Sequence, residues 1–204
     1  MDKLINEKAR EFIHIAKRAF LLGMQTSTGG NISLKINKNL ILTKPSGVSL
    51  IDCKQNDLIV VNEKGQLIKG NKKPTKEIKF HLGIYNVRKD INAIIHYHSP
   101  WATAFSTQSI PIPLVTLHAK RILSKVPIIP EAKEGSLKLA ELVTKEFINS
   151  QIWAITLTKH GLIAAGPTLN FAENIAELIE ETAKTALLGF LLKKFEYSKL
   201  YDLE

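Results

Sequence analysis

His96 and His98 stand one residue apart where the apolar, β-branched run Ile94-Ile95 gives way to Ser99-Pro100. In an extended strand alternate side chains share a face, so both imidazoles point the same way. Their Cα atoms then lie roughly 6.5–7 Å apart, within reach of a single metal ion. His160 follows a second apolar run, Ile152 to Leu157, and precedes Gly161. Three histidines on strand ends suggest a catalytic zinc with one coordination position open to water or substrate. A lone His-x-His is common, and histidines near strand ends often only hydrogen-bond to backbone. The neighbouring segments therefore have to decide.

Glu77 follows Lys73-Pro74-Thr75-Lys76 at the expected start of a helix. Free backbone N–H groups at such an entry favour anions. A carboxylate there serves as a general base only if burial near a metal raises its pKa. The plainer role is a first-turn glutamate that suits the helix dipole. Thr28-Gly29-Gly30-Asn31 and Thr43-Lys44-Pro45-Ser46-Gly47 are small-residue loops in which backbone amides and hydroxyls could cradle a phosphate. Either is, alone, also an ordinary turn. Neither matches a Walker or dinucleotide pattern, which leaves nucleotide binding unsupported.

The elements that must position these residues are legible from periodicity. Residues 2–22 read as an amphipathic helix, with Ile5, Ala9, Phe12, Ile13, Ala16 and Phe20 at helical spacing, Asp2 as cap and Gly23 as stop. Ile32, Leu34 and Ile36 alternate as in a strand, and Asn37-Lys38-Asn39 turns into a hairpin partner over Leu40 to Thr43. Leu58 to Val61 is a further strand, turning at Glu63-Lys64-Gly65 into Gln66 to Ile68. Glu77 to Arg88 reads as a helix, the His-x-His strand follows, and Pro100 opens another helix. The proline-spaced stretch 110–131 gives no clear element. Ser136 to Ile148 is a helix, and Asn170 to about Lys193 closes the chain as another. Hairpins combined with crossover helices suggest a mixed sheet between helices.

Bulk properties fit that picture. A chain of 204 residues supports one domain, 1–204, with a substantial core. It is 45% apolar and 23% charged, as expected of a soluble globular protein. No apolar run approaches the ~20 residues of a membrane span. The first residues lack an apolar signal segment, and Cys53 is the sole cysteine, so no internal disulfide forms. These features point to the cytoplasm. The formal net charge is +9, carried mostly by scattered lysines without an arginine–aromatic platform, which disfavours a nucleic-acid partner. A lysine-rich background and an anionic small substrate drawn by a positive field both account for it.

Taken in order, five segments carry a more specific message. They are Gly30-Asn31-Ile32-Ser33, Lys44-Pro45-Ser46-Gly47-Val48, Lys73-Pro74-Thr75-Lys76-Glu77 with His81 and Tyr85, Ile95-His96-Tyr97-His98-Ser99-Pro100 with Ala102-Thr103-Ala104, and Lys159-His160-Gly161-Leu162. The set resembles the class II aldolase/adducin family over nearly the whole chain. The resemblance implies an α/β protein, three-layer α/β/α, with a central mixed, largely antiparallel sheet. It implies one Zn2+ per subunit on His96, His98 and His160, with Glu77 as acid/base that also touches the metal when substrate is absent. It maps the family's phosphate site onto Asn31, Ser46, Gly47, Thr75 and Lys76, and it implies a homotetramer with intersubunit active sites. The implied reaction is zinc-dependent cleavage of a C–C bond in a phosphorylated keto sugar or keto acid through a metal-stabilised enediolate, as in L-fuculose-1-phosphate aldolase. The alternative is 3-oxo-tetronate 4-phosphate decarboxylase. Behind these stand a ribulose-phosphate 4-epimerase and a non-catalytic adducin-like protein.

Three departures from the commonest family pattern bear on that choice. Pro74-Thr75-Lys76-Glu77 replaces the usual Pro-Ser-Ser-Glu or Pro-Ser-Ser-Asp. The lysine, Trp101 and Glu180-Glu181-Thr182-Ala183-Lys184 resemble the decarboxylase branch. Lys120 stands where epimerases carry an aspartate, which argues against that activity. The aldolase proton-donor tyrosine is absent near Leu117-His118, leaving Tyr197 or Tyr201 in the C-terminal tail as substitutes.

Overall fold

The computed structural model describes residues 2–194. The elements run, in chain order, α1 (Asp2–Leu21), β1 (Asn31–Lys35), β2 (Leu40–Thr43), β3 (Ile59–Asn62), β4 (Leu67–Lys69), α2 (Ile78–Val87), β5 (Ala93–Tyr97), α3 (Pro100–Thr107), α4 (Leu117–Ile122), β6 (Ile128–Ile129), α5 (Leu137–Phe147), β7 (Ala154–Leu157), β8 (Gly161–Gly166) and α6 (Leu169–Lys194). All eight strands join one sheet in the order β4-β3-β2-β1-β5-β8-β7-β6. Every pairing is antiparallel except β6 with β7. The expected mixed, largely antiparallel sheet is therefore present.

Strand alternation splits the core into two. Ile32, Leu34, Leu42, Ile95, Leu162 and Ala164 pack on one side with α1, α3 and α6. Ile41, Val61, Ile94, Ile155 and Ile163 pack on the other with Phe80 and Ile84 of α2 and Val143 and Phe147 of α5. Both faces of β5 and β8 are covered, which is why they read as apolar runs, whereas β1 buries the polar Asn31 and Ser33 on one face and so alternates. The result is the three-layer α/β/α arrangement.

Helix ends follow their local chemistry. Gly23, at φ +74°, ends α1, and the Met24 N–H reaches back to the Ala19 carbonyl at 2.9 Å, as in a Schellman closure. Ser136 caps α5 by accepting from Leu139 N at 3.1 Å. Two expectations differ. Asp2 is already helical rather than a cap, and α2 begins at Ile78 with Glu77 in the N-cap position. The segment 110–131 contains α4 and the two-residue β6, both too short to leave a periodic signature.

Candidate active site

The strand registers assemble the site. Asn31 of β1 pairs with His96 of β5, and Tyr97 of β5 pairs with Leu162 of β8. That second pairing brings the residues after β5 beside the β7–β8 turn, where His160 N donates to the Leu157 carbonyl at 3.0 Å. His160 thus sits on a hairpin turn between two strands. Gly161 is required there, because a Cβ would run into the Tyr97 carbonyl oxygen. Gly30, at φ +63°, lets the chain enter β1 where a Cβ would strike Gln25 and the His96 carbonyl.

The three imidazoles converge. His96 Nε2 lies 3.1 Å from His98 Nε2 and 3.3 Å from His160 Nε2, and all three ligand atoms fall within 4.8 Å of one another. Two nitrogens on a tetrahedral zinc at ~2.0–2.1 Å are separated by roughly 3.3 Å, so the two shortest spacings match a shared ion. His96 Nδ1 donates to the Leu162 carbonyl at 2.8 Å, which leaves its Nε2 lone pair facing the cluster. Burial, reinforced by repulsion from His160 and His98, holds His96 well below the ordinary imidazole pKa. Burial likewise lowers His98 and His160. Neutral rings are the form that ligates. The donor set and its spacing fit a zinc ion.

Glu77 completes the cluster. Its Oε2 is 3.3 Å from His96 Nε2 and its Oε1 3.6 Å from His160 Nε2. Although it stands at the N-cap of α2, it makes no capping hydrogen bond. Oε2 instead accepts from Asn31 Nδ2 at 2.9 Å, and buried Oε1 has no hydrogen-bond partner. A buried acceptor without a donor is costly unless a cation or proton visits it. Burial pushes the Glu77 pKa up to about 7, against the pull of the Asn31 amide and with a further push from Glu134. The plain helix-dipole role does not describe this residue.

A cavity of about 420 Å³ opens over the cluster. Its walls include all five residues of the expected phosphate site, Asn31, Ser46, Gly47, Thr75 and Lys76, together with Glu77. The loop that carries Ser46 and Gly47 and the loop that carries Thr75 and Lys76 are strapped together by a bridge between Pro45 and Pro74 and by Ser46 N donating to the Lys73 carbonyl at 3.0 Å. The Asn31 amide already serves Glu77 and His81, so in this cavity it offers only its second amide hydrogen. Glu134, with Oε1 3.4 Å from His160 Nε2, and Gln25, which accepts from His98 N at 2.8 Å, were not foreseen. Neither belongs to a segment with a periodic or motif signal.

These features meet known proteins at this point. Residues 10–187 match the sequence profile of the class II aldolase and adducin N-terminal domain. The chain belongs to the class II aldolase/adducin family. An L-fuculose phosphate aldolase from Methanocaldococcus jannaschii is 38% identical over 91% of this chain and 98% of that one. A 3-oxo-tetronate 4-phosphate decarboxylase from Pectobacterium atrosepticum is 34% identical over 97% of this chain and 91% of that one. A solved L-fuculose 1-phosphate aldolase superposes with a TM-score of 0.84 at 30% identity, covering 92% of this chain and 87% of the other.

The family departures find structural places. Glu180 accepts from Trp101 N at 2.9 Å and Ala102 N at 2.8 Å, while Lys184 Nζ lies 5.7 Å from the centre of the Trp101 ring. Glu180 caps α3 while Lys184 lies over the Trp101 ring, which gives the three residues an architectural reason to occur together. Leu117, His118 and Lys120 are exposed on α4. Tyr197 and Tyr201 lie outside the described residues.

Proposed function

We propose that this chain is a zinc-dependent carbon–carbon lyase acting on a phosphorylated keto sugar, with L-fuculose-1-phosphate aldolase activity as the leading reading. The observation that carries it is the convergence of three imidazoles beside a buried carboxylate with one unpartnered oxygen. His96, His98 and His160 would hold the ion, with Glu77 as a fourth donor when substrate is absent. A bound zinc supplies Lewis-acid withdrawal of electron density from the substrate oxygens.

The chain's own residues do the rest. Ser46, Gly47, Thr75 and Lys76, with the spare hydrogen of Asn31, bind the phosphate at the mouth of the cavity and so fix the sugar in one orientation. Glu77, with a pKa near neutrality, carries a proton to and from the carbon next to the cleaved bond. In the cleavage direction the departing hydroxyl passes its proton to a second acid/base group, drawn from a neighbouring subunit, and the C–C bond breaks to release the aldehyde. The electron pair moves toward the carbonyl carbon, and Glu77 protonates the carbon left behind. Decarboxylation of an oxo-tetronate phosphate asks the same of Glu77 and differs only in releasing carbon dioxide. The decarboxylase relative at 34% identity keeps that second reading in play.

We take the assembly to be a homotetramer, in which exposed Leu21, Leu22, Leu117 and Phe190 are apolar side chains available for subunit contacts. In such an assembly a neighbouring subunit could supply the second proton donor. Among the described residues no helix is long and apolar enough to cross a membrane, and we place the enzyme in the cytoplasm. Product analysis on fuculose 1-phosphate, ribulose phosphates and an oxo-tetronate 4-phosphate tests the assignment. Aldehyde release from fuculose 1-phosphate is expected. Carbon dioxide release from the oxo-tetronate alone would replace it with decarboxylation.

A further inference from the structure

Behind Glu77 and Asn31 runs a file of buried polar side chains, His81, Ser33 and Tyr85, that the chemistry above does not use. Asn31 Nδ2 donates to Glu77 Oε2 at 2.9 Å, and Asn31 Oδ1 meets His81 Nε2. His81 Nδ1 lies 2.7 Å from Ser33 Oγ, which lies 2.8 Å from the Tyr85 hydroxyl. Asn31 and Ser33 point the same way from β1, and Glu77, His81 and Tyr85 recur every four residues along α2. All are buried, and the His81 ring is wedged flat against Phe80 at 4.7 Å between centroids.

The direction of each hydrogen bond follows from the acceptor at the end. A carboxylate only accepts, so the Asn31 amide turns its NH2 to Glu77 and its carbonyl to His81. His81 must then carry its proton on Nε2 and accept at Nδ1 from Ser33. The Ser33 oxygen in turn takes the Tyr85 proton. Burial lowers the His81 pKa to about 3, so the ring stays neutral and only one tautomer satisfies both neighbours. A neutral amide does not relay protons, so the file fixes geometry rather than conducting charge.

We propose that His81, backed by Ser33 and Tyr85, is a positioning residue that locks the Asn31 amide, pins Glu77 Oε2 and presents Oε1 to the cavity. The proposal rests on Glu77 being the proton carrier of the lyase reading. It accounts for a histidine, a serine and a tyrosine that touch neither the cavity nor the three imidazoles by hydrogen bonding.

The test uses the zinc-loaded full chain. Nitrogen-15 NMR of the imidazoles should show His81 neutral with Nε2 protonated, and the opposite tautomer would overturn the proposal. His81→Phe should lower kcat roughly 10–100-fold, leave KM within about threefold and leave zinc stoichiometry unchanged. His81→Gln, whose amide can donate from the place of Nε2, should restore most of the loss. In an Asn31→Ala background the same His81→Phe change should cost little more, because its effect passes through Asn31. An equal loss in both backgrounds would mark a structural role and sink the idea. If no phosphorylated sugar is turned over, the lyase reading falls alone, and the tautomer still decides whether the file holds Asn31 as stated.

Discussion

In the proposed chemistry Glu77 carries the proton, and its position is informative at the level of single atoms. One oxygen is tied to Asn31 and the other is buried without a partner. Glu77→Gln keeps the shape and the Asn31 contact side but cannot take up a proton. Turnover should fall ~10²–10⁴-fold while zinc content, read by elemental analysis, stays at the wild-type level. An unchanged rate would remove Glu77 from the mechanism. The three histidines were legible in the sequence because strand alternation is a local rule, whereas helix entry alone favoured a plain dipole role for Glu77 and only the family resemblance gave it acid/base work. Glu134 and Gln25 were not, since each reaches the cluster through tertiary packing that no spacing encodes.

At the scale of elements, the site depends on how closely β8 approaches β5, and the stability of the surrounding fold on how α3 is anchored. Gly161→Ala would push a methyl into the Tyr97 carbonyl and force the β7–β8 turn to shift. A loss of about 1–3 kcal/mol in urea unfolding is expected, together with weaker zinc binding. Wild-type values for both would show that the turn has room. Glu180→Ala removes the acceptor for two amides at the start of α3 and should cost about 1–2 kcal/mol by the same measurement, with metal binding intact. Full stability would show that water replaces the carboxylate at no cost. The long helices and the hairpin declared themselves through periodicity. α4 and β6 did not, because six residues and two residues are too few for a period to emerge.

For the whole molecule, charge and burial set the dependence on solution conditions. Glu173 lies buried on α6, accepts from the Tyr97 hydroxyl at 2.8 Å, and is pushed by burial up to a pKa of about 7 from an ordinary 4.5. A carboxyl raised in the folded state favours folding most below its unfolded pKa. That contribution is lost as pH rises from about 4.5 through 7, by up to about 3 kcal/mol. Glu173→Gln should therefore flatten the stability profile in that window and gain most above pH 7. An identical slope in both proteins would place the pH dependence elsewhere. With a net charge of +9, the chain should also bind its phosphorylated substrate less well as salt rises, seen as a climbing KM with little change in kcat. A KM insensitive to salt would leave the surplus lysines without a role in substrate capture.

Zinc titration of the metal-free protein by calorimetry probes the shared ion most directly. One ion per chain should bind to the wild type and none at that site once His96, His98 and His160 are all replaced by alanine. Failure of the wild type to take up an ion, or undiminished uptake by the triple variant, would contradict the account.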